Sequence, residues 1–241
     1  MSSENTKPST SQGACYEWGP YHDDVWGTPL RSSRELFEQL CLASQQAGLS
    51  WRIVWSKREG YAAAFHNWDM HAIAAMTDSD IDELCSPAWA GRVLQSRRKL
   101  EAIVHNARVC CEIEAEHEEG LAGFLWSFFK DDPATTNEHE DFESAAYKTI
   151  FGTTSKYSDA MERAMIRSKH SSAQWNFRFL GSITLQAFAL QVGMLNGHSP
   201  QCWKNPHCKQ RYGRDDQKRK QSMEATTIIS GRKRRARSLD F

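Results

Sequence analysis

The spacing of apolar residues confines this chain to helices. They recur at intervals of three and four, and no segment of strand length alternates apolar with polar residues, so the pattern predicts an all-α body. Ser32 with Glu35 three residues on fits a capping box, and Leu36, Leu40, Ala43 and Ala47 follow at helical spacing. Gly48 stands where a helix commonly stops in a left-handed conformation. Leu49 and Ser50 then form a tight connection, Ser50 caps the next helix, and Ile53, Val54 and Trp55 give its apolar side. Thr77 with Asp80 starts another helix, running through Ile81 and Leu84 until Pro87. A long helix is predicted over 97–119, with Leu100, Ile103, Val104 and Ala107 on one face. Two more fit 158–167 and 183–194, the second ending at Asn196-Gly197.

Composition sets the limits of that body. With 241 residues, 40% of them hydrophobic, the chain has room for one substantial core or two small ones. Its 30 basic and 30 acidic residues cancel unevenly: residues 201–241 carry 12 Lys and Arg against 4 Asp and Glu, which leaves the rest acidic. Residues 112–143 hold eleven acids and one base, Lys130, around the apolar patch Phe124, Leu125, Trp126, Phe128 and Phe129. We therefore expect a disordered lead-in over 1–13, a helical domain over 14–208 and a basic disordered tail over 209–241, with 131–143 a solvated acidic loop. No apolar run approaches the roughly 18–20 residues that cross a bilayer. The first thirteen residues lack both the apolar stretch of a secretory signal and the arginines of a transit peptide. Seven dispersed cysteines suit a reducing, intracellular setting in which thiols are core residues or metal ligands.

Cys15 and His22 lie near one end of the body, His198 and Cys202 near the other. Two thiols and two imidazoles complete a tetrahedral zinc site closed to water, hence structural, which would tie the two ends together. His207 and Cys208 are rival ligands on spacing alone, and a core cysteine with surface histidines is the plain alternative.

The order of several motifs is more specific. Tyr21 to Gly27 reads YHDDVWG, Gln45 to Trp51 reads QQAGLSW, and Lys99 to Arg108 reads KLEAIVHNAR. Tyr61 to Asp69, Leu125 to Phe128, Phe177 to Gly181 and Gly193 to His198 follow as further blocks. Taken in their order along the chain, over roughly 14–205, these blocks resemble the DNA-3-methyladenine glycosylase I family. The resemblance implies an all-α, helix–hairpin–helix fold whose terminal segments are joined by structural zinc. It places Cys15, His22, His198 and Cys202 on the family's metal ligands, and Tyr21 and Trp51 on the aromatic walls of its base pocket. An extruded methylated adenine is flat and cationic, which suits electron-rich rings. Leu49, at the tip between two helices, falls where an apolar wedge would fill the gap left by the flipped nucleotide.

This sequence also departs from the family pattern. The gap between Cys15 and His22 is shorter than usual, Asn176 stands for a Gly, Gln186 for a frequent Tyr, and Arg92 for a Gly in the turn over 92–97. Most consequential is Ala43, at the position where the family carries a glutamate whose carboxylate accepts hydrogen bonds from the extruded base. Losing such a bond is worth about 1.5–3 kcal/mol. The expected function is a monofunctional glycosylase that removes 3-methyladenine from duplex DNA during base excision repair, acting as a monomer. Because alkylation makes the base an easily expelled leaving group, no catalytic acid or base is nominated. Arg97, Arg98 and Lys99 are candidates for phosphate contact. The alternative is a catalytically impaired, zinc-stapled DNA-binding protein, or a glycosylase whose alkyl-base specificity has shifted. The basic clusters within 218–237 read as a bipartite nuclear import signal or as a nonspecific DNA arm.

Overall fold

A computed structural model describes residues 19–130, 153–166, 175–199 and 202–205. Among these there is no β-strand; the isolated bridge between Ala90 and Val93 closes a short turn. The helices are α1 (Gly19–Asp24), α2 (Ser33–Gln45), α3 (Trp51–Trp55), α4 (Arg58–Ala64), α5 (Met70–Ala74), α6 (Asp78–Leu84), α7 (Arg97–Glu116), α8 (Gly120–Ser127), α9 (Lys156–Met165) and α10 (Ser182–Gln191).

Helix α7 is the central strut, packed against α2, α5, α6 and α8. Its face Leu100, Ile103, Val104 and Ala107 is buried as its periodicity predicts. Cys41 of α2 and Cys110 of α7 are fully buried, and burial pushes both thiols well above the ordinary cysteine value. They are core residues and inert. Asn106, also buried in α7, holds a separate chain segment: its Nδ2 donates to the Arg178 carbonyl at 3.1 Å and its Oδ1 accepts the Arg178 N–H at 2.8 Å. One side chain thus meets the backbone donor and acceptor of a stretch that has no helix to supply them.

The caps explain why the helices start where they do. Ser32 accepts from the Glu35 N–H, the first half of the expected box. At α6 the box is complete, since Thr77 accepts from the Asp80 N–H while the Asp80 carboxylate accepts the Thr77 N–H at 2.7 Å. That backbone bond, first among its causes, holds Asp80 below the ordinary aspartate value. A carboxyl depressed in the native state stabilises the fold above the unfolded value and ceases to do so as pH falls through the native one. Asp80→Ala is therefore expected to lower the melting temperature at neutral pH, with the difference from the parent closing in acid. A difference that stays constant across the titration would show that the charge is not what the cap uses.

Two of the predicted boundaries shift. The helix expected over 158–167 is α9, which begins two residues earlier because Ser155 caps it reciprocally with Ser158. The one expected over 183–194 is α10, which ends at Gln191 because Gly193 takes a left-handed φ of 70°. The apolar patch within 112–143 is helical rather than a mere interruption. Ser33 Oγ accepts the Ala122 N–H, Glu114 accepts that of Leu121, and the free N–H groups at the start of α8 are thereby met. The acidic loop expected over 131–143, the lead-in over 1–13 and the tail over 209–241 lie outside the described residues, as do Cys15, His207 and Cys208.

Candidate base pocket and metal cluster

Two groups of side chains stand out, and α1 belongs to both. Tyr21 of α1 meets Trp51 and Trp55 of α3, with ring centroids 6.1 and 4.8 Å away, and the two tryptophans lie 5.9 Å apart. Such separations are ordinary aromatic contact, so a flat ligand entering between Tyr21 and Trp51 must part them. Trp51 is 5% exposed, and its indole N–H is buried without a hydrogen-bond partner among the described residues. An unmet buried donor costs about 1–3 kcal/mol. The indole N–H of Trp68 in the core is in the same state, so the unmet donor singles out Trp51 only together with the rings of Tyr21 and Trp55 beside it. Arg58 lies over the ring of Trp55, 4.9 Å from its centroid, a cation–π contact that steadies the indole.

Ala43 is buried on α2 and offers only a methyl group. One turn earlier on the same face stands Gln39, whose Oε1 accepts a hydrogen bond from the Gln191 amide of α10. No local sequence pattern reveals this buried amide pair, because its members are 152 residues apart and each alone is an unremarkable glutamine. Gln186, at the other noted departure, accepts from Ser155 Oγ at 2.6 Å. Its amide is thus used in joining α9 to α10.

Leu49 is 37% exposed at the tip of the turn between α2 and α3. Gly48 makes that tip possible. Its φ is +77°, where a side chain would be strained, and the space beside its Cα is open. Ser50 occupies the N-cap position of α3, but its hydroxyl makes no capping bond.

The three cationic residues at the start of α7 do not share one role. Arg97 pairs with Asp82 and with Glu101, and Lys99 bonds backbone carbonyls of the α2–α3 turn. Arg98 makes no ion pair among the described residues and is the one of the three left for a phosphate.

The second group is His22, His198 and Cys202, whose ligand atoms lie within 4.8 Å of one another. Cys202 Sγ is 3.3 Å from His22 Nε2 and 3.6 Å from His198 Nδ1. Tetrahedral zinc with its usual bond lengths to sulfur and nitrogen separates those two atoms by about 3.5 Å, so the donors present fit that ion in type and spacing. His22 Nδ1 lies 2.8 Å from Asp23 Oδ1, and a carboxylate on that nitrogen leaves Nε2 turned toward the cluster. Gly27 is obligatory beside it: a Cβ there would come 2.5 Å from His198 Nε2. Lys204, which sequence reading had not singled out, closes the back of the group. Its ammonium donates to the carbonyls of His22 at 3.0 Å and Trp26 at 2.9 Å.

Comparisons with known proteins identify the family of the chain. The family model for methyladenine glycosylase matches residues 14–205. DNA-3-methyladenine glycosylase 1 of Escherichia coli (strain K12) is 35% identical over 182 residues, which cover 76% of this chain and 88% of that protein. DNA-3-methyladenine glycosylase of Haemophilus influenzae (strain ATCC 51907 / DSM 11121 / KW20 / Rd) is 37% identical over 182 residues, covering 76% and 89%. The solved 3-methyladenine DNA glycosylase I from Staphylococcus aureus, described for its recognition of 3-methyladenine, superposes with a TM-score of 0.63 at 34% identity, covering 78% of this chain and 90% of that one. With most of its length matched at this identity, the chain belongs to the methyladenine glycosylase family.

Proposed function

We propose that this protein is a DNA glycosylase of base excision repair, hydrolysing the N-glycosidic bond of 3-methyladenine in alkylated DNA. The observation that carries the reading is the aromatic group Tyr21, Trp51 and Trp55 around a buried indole N–H that has no acceptor among the described residues. A base turned out of the helix supplies both the flat face and the ring nitrogen that this group lacks. Tyr21 and Trp51 stack on the cationic purine, Leu49 fills the space it leaves, and Arg98 meets a phosphate from the first turn of α7. N3-alkylation has already weakened the glycosidic bond, so holding the base and admitting water suffices. The turn over 92–97 and the helices around it serve as the helix–hairpin–helix element.

A zinc ion on His22, His198, Cys202 and Cys15 would have only protein ligands and so supply structure rather than reaction chemistry. His22, His198 and Cys202 bring the segment bearing Tyr21 against the C-terminal segment. We further propose the division into a lead-in over 1–13, a domain over 14–208 and a basic tail over 209–241, with the tail directing nuclear entry and the enzyme acting as a monomer.

Base release from methylated duplex DNA, with the liberated bases identified by mass, tests the activity. The expected product is 3-methyladenine. Ala43 supports a second reading, a protein that binds damaged DNA without cutting it, since no carboxylate stands there to accept from the base. Zinc-loaded protein that binds DNA and releases nothing would favour that reading. Ala43→Glu is then the informative variant: we expect it to raise kcat/KM for 3-methyladenine by about ten- to a hundredfold, the worth of one charge-assisted bond. Release unchanged by the new carboxylate would mean that stacking and shape already limit the rate.

A further inference from the structure

Lys99 lies at the first turn of α7 and yet spends its charge on α2. Its ammonium donates to the carbonyl of Gln45 at 2.8 Å and to that of Ala47 at 2.7 Å. These belong to the end of α2 and the turn beyond, where helical carbonyls have no partner of their own and a cation is favoured. The contact is reciprocal, because Gln45 Nε2 donates to the Lys99 carbonyl at 3.0 Å. Gln45 Oε1 accepts from the Tyr61 hydroxyl at 3.3 Å, and that hydroxyl accepts the Leu94 N–H at 3.2 Å. The turn that ends in Leu49 is thus bonded to α7, to α4 and to the segment just before α7. Burial lowers the Lys99 ammonium from the ordinary lysine value and raises the Tyr61 hydroxyl to about 12, so neither belongs to the freely solvated surface.

We propose that Lys99 is a positioning residue for Leu49, holding the wedge-bearing turn at a fixed distance from the phosphate-facing start of α7. An apolar side chain driven into a base stack gains only what it does not lose in ordering itself. Gly48 gives the turn its shape and also its freedom. With no tie to α7, the turn could move while α7 stayed on the backbone; with Lys99 in place, docking α7 on a phosphate brings Leu49 to the stack. This rests on the glycosylase reading for its setting, though insertion of Leu49 can be followed without any cleavage.

The test uses the full-length protein and a duplex with a tetrahydrofuran abasic analogue opposite 2-aminopurine, whose fluorescence reports insertion into the gap. Lys99→Met, which keeps the stem and removes the donors, is expected to reduce the insertion signal and to lower kcat/KM for base release about tenfold. Lys99→Arg, which restores a cation, is expected to recover most of both. The decisive comparison is with Leu49→Ala: if Lys99 acts through Leu49, adding Lys99→Met to that variant changes the rate less than twofold. A full tenfold loss in the Leu49→Ala background would overturn the proposal. So would a salt dependence of binding weakened by about one phosphate contact in Lys99→Met, which would mark Lys99 as a phosphate ligand. Should Lys99→Met unfold, Tyr61→Phe breaks the same chain of bonds and keeps the ring. Its smaller loss must likewise vanish when Leu49 is alanine, and a loss that persists refutes the proposal. Wild-type protein that gives the insertion signal and releases no base would defeat the glycosylase reading alone. Absence of the insertion signal in the wild type would defeat the role given to Lys99.

Discussion

His198→Ala is expected to abolish zinc binding and to lower the melting temperature by roughly 8–16 °C. A ligand that binds only the native state stabilises it by about 4 kcal/mol at a thousandfold excess over Kd. For a domain of this size each kcal/mol moves the midpoint by about 2–4 °C. The His198 ring also packs edge-on against Trp26, with centroids 4.8 Å apart, and lies over Gly27. Part of any loss in the variant is therefore packing. A chelator on the wild type separates the two, since it removes the ion and leaves the ring. Asp23→Asn should produce a smaller shift, because a carboxylate behind a ligating imidazole is typically worth ten- to a hundredfold in metal affinity. Protein that purifies without zinc and melts at the same temperature with or without chelator would leave the cluster as core packing.

Trp51→Phe should separate stability from activity. The substitution removes a buried donor that has no acceptor among the described residues. Relief of about 1–3 kcal/mol offsets the loss of ring area, and net stability should move by about 1 kcal/mol or less. Base release should fall about ten- to a hundredfold, since the flipped base loses a hydrogen bond that the free protein never made. The decrease belongs in kcat, because the contact forms only after the base has left the helix. Trp51→Ala adds the loss of stacking, itself worth about 1–3 kcal/mol. Parallel losses of stability and rate in Trp51→Phe would instead mark Trp51 as an ordinary core residue. Thermal melts and single-turnover release measured on the same preparations decide between these outcomes.

What could be read from the sequence was local. The caps at Ser32 and Thr77, the left-handed stop at Gly48 and the buried face of α7 each depend on residues a few positions apart, and each is found. Short helices were harder. Helices α4 and α5 span two turns or fewer, too little for a periodic pattern to emerge. Between them His66, Asn67 and Trp68 adopt positive φ values, a conformation that bulky side chains seldom take. The Asn67 carbonyl there accepts from Arg34 at 2.7 Å, a partner 33 residues away. The site shows the same division. Tyr21, Trp51 and Leu49 stood inside recognisable blocks, and His22, His198 and Cys202 converge as their residue types suggested. Lys99 stands in a basic run, and that local setting makes it a candidate for phosphate contact. Its use depends on carbonyls 52 and 54 residues away, which no local pattern reveals.

The bonds of Lys204 to the carbonyls of His22 and Trp26 also set an order of events for the nascent chain. The segment carrying Tyr21 leaves the ribosome early, yet the ammonium that closes it is made 182 residues later. At about 5–20 residues per second that interval is on the order of ten to forty seconds. Throughout it, the segment has its aromatic ring but neither the lysine nor His198 and Cys202 beside it. Contacts between the α1 segment and residues 198–204 therefore form only after nearly all the helices between them have been made.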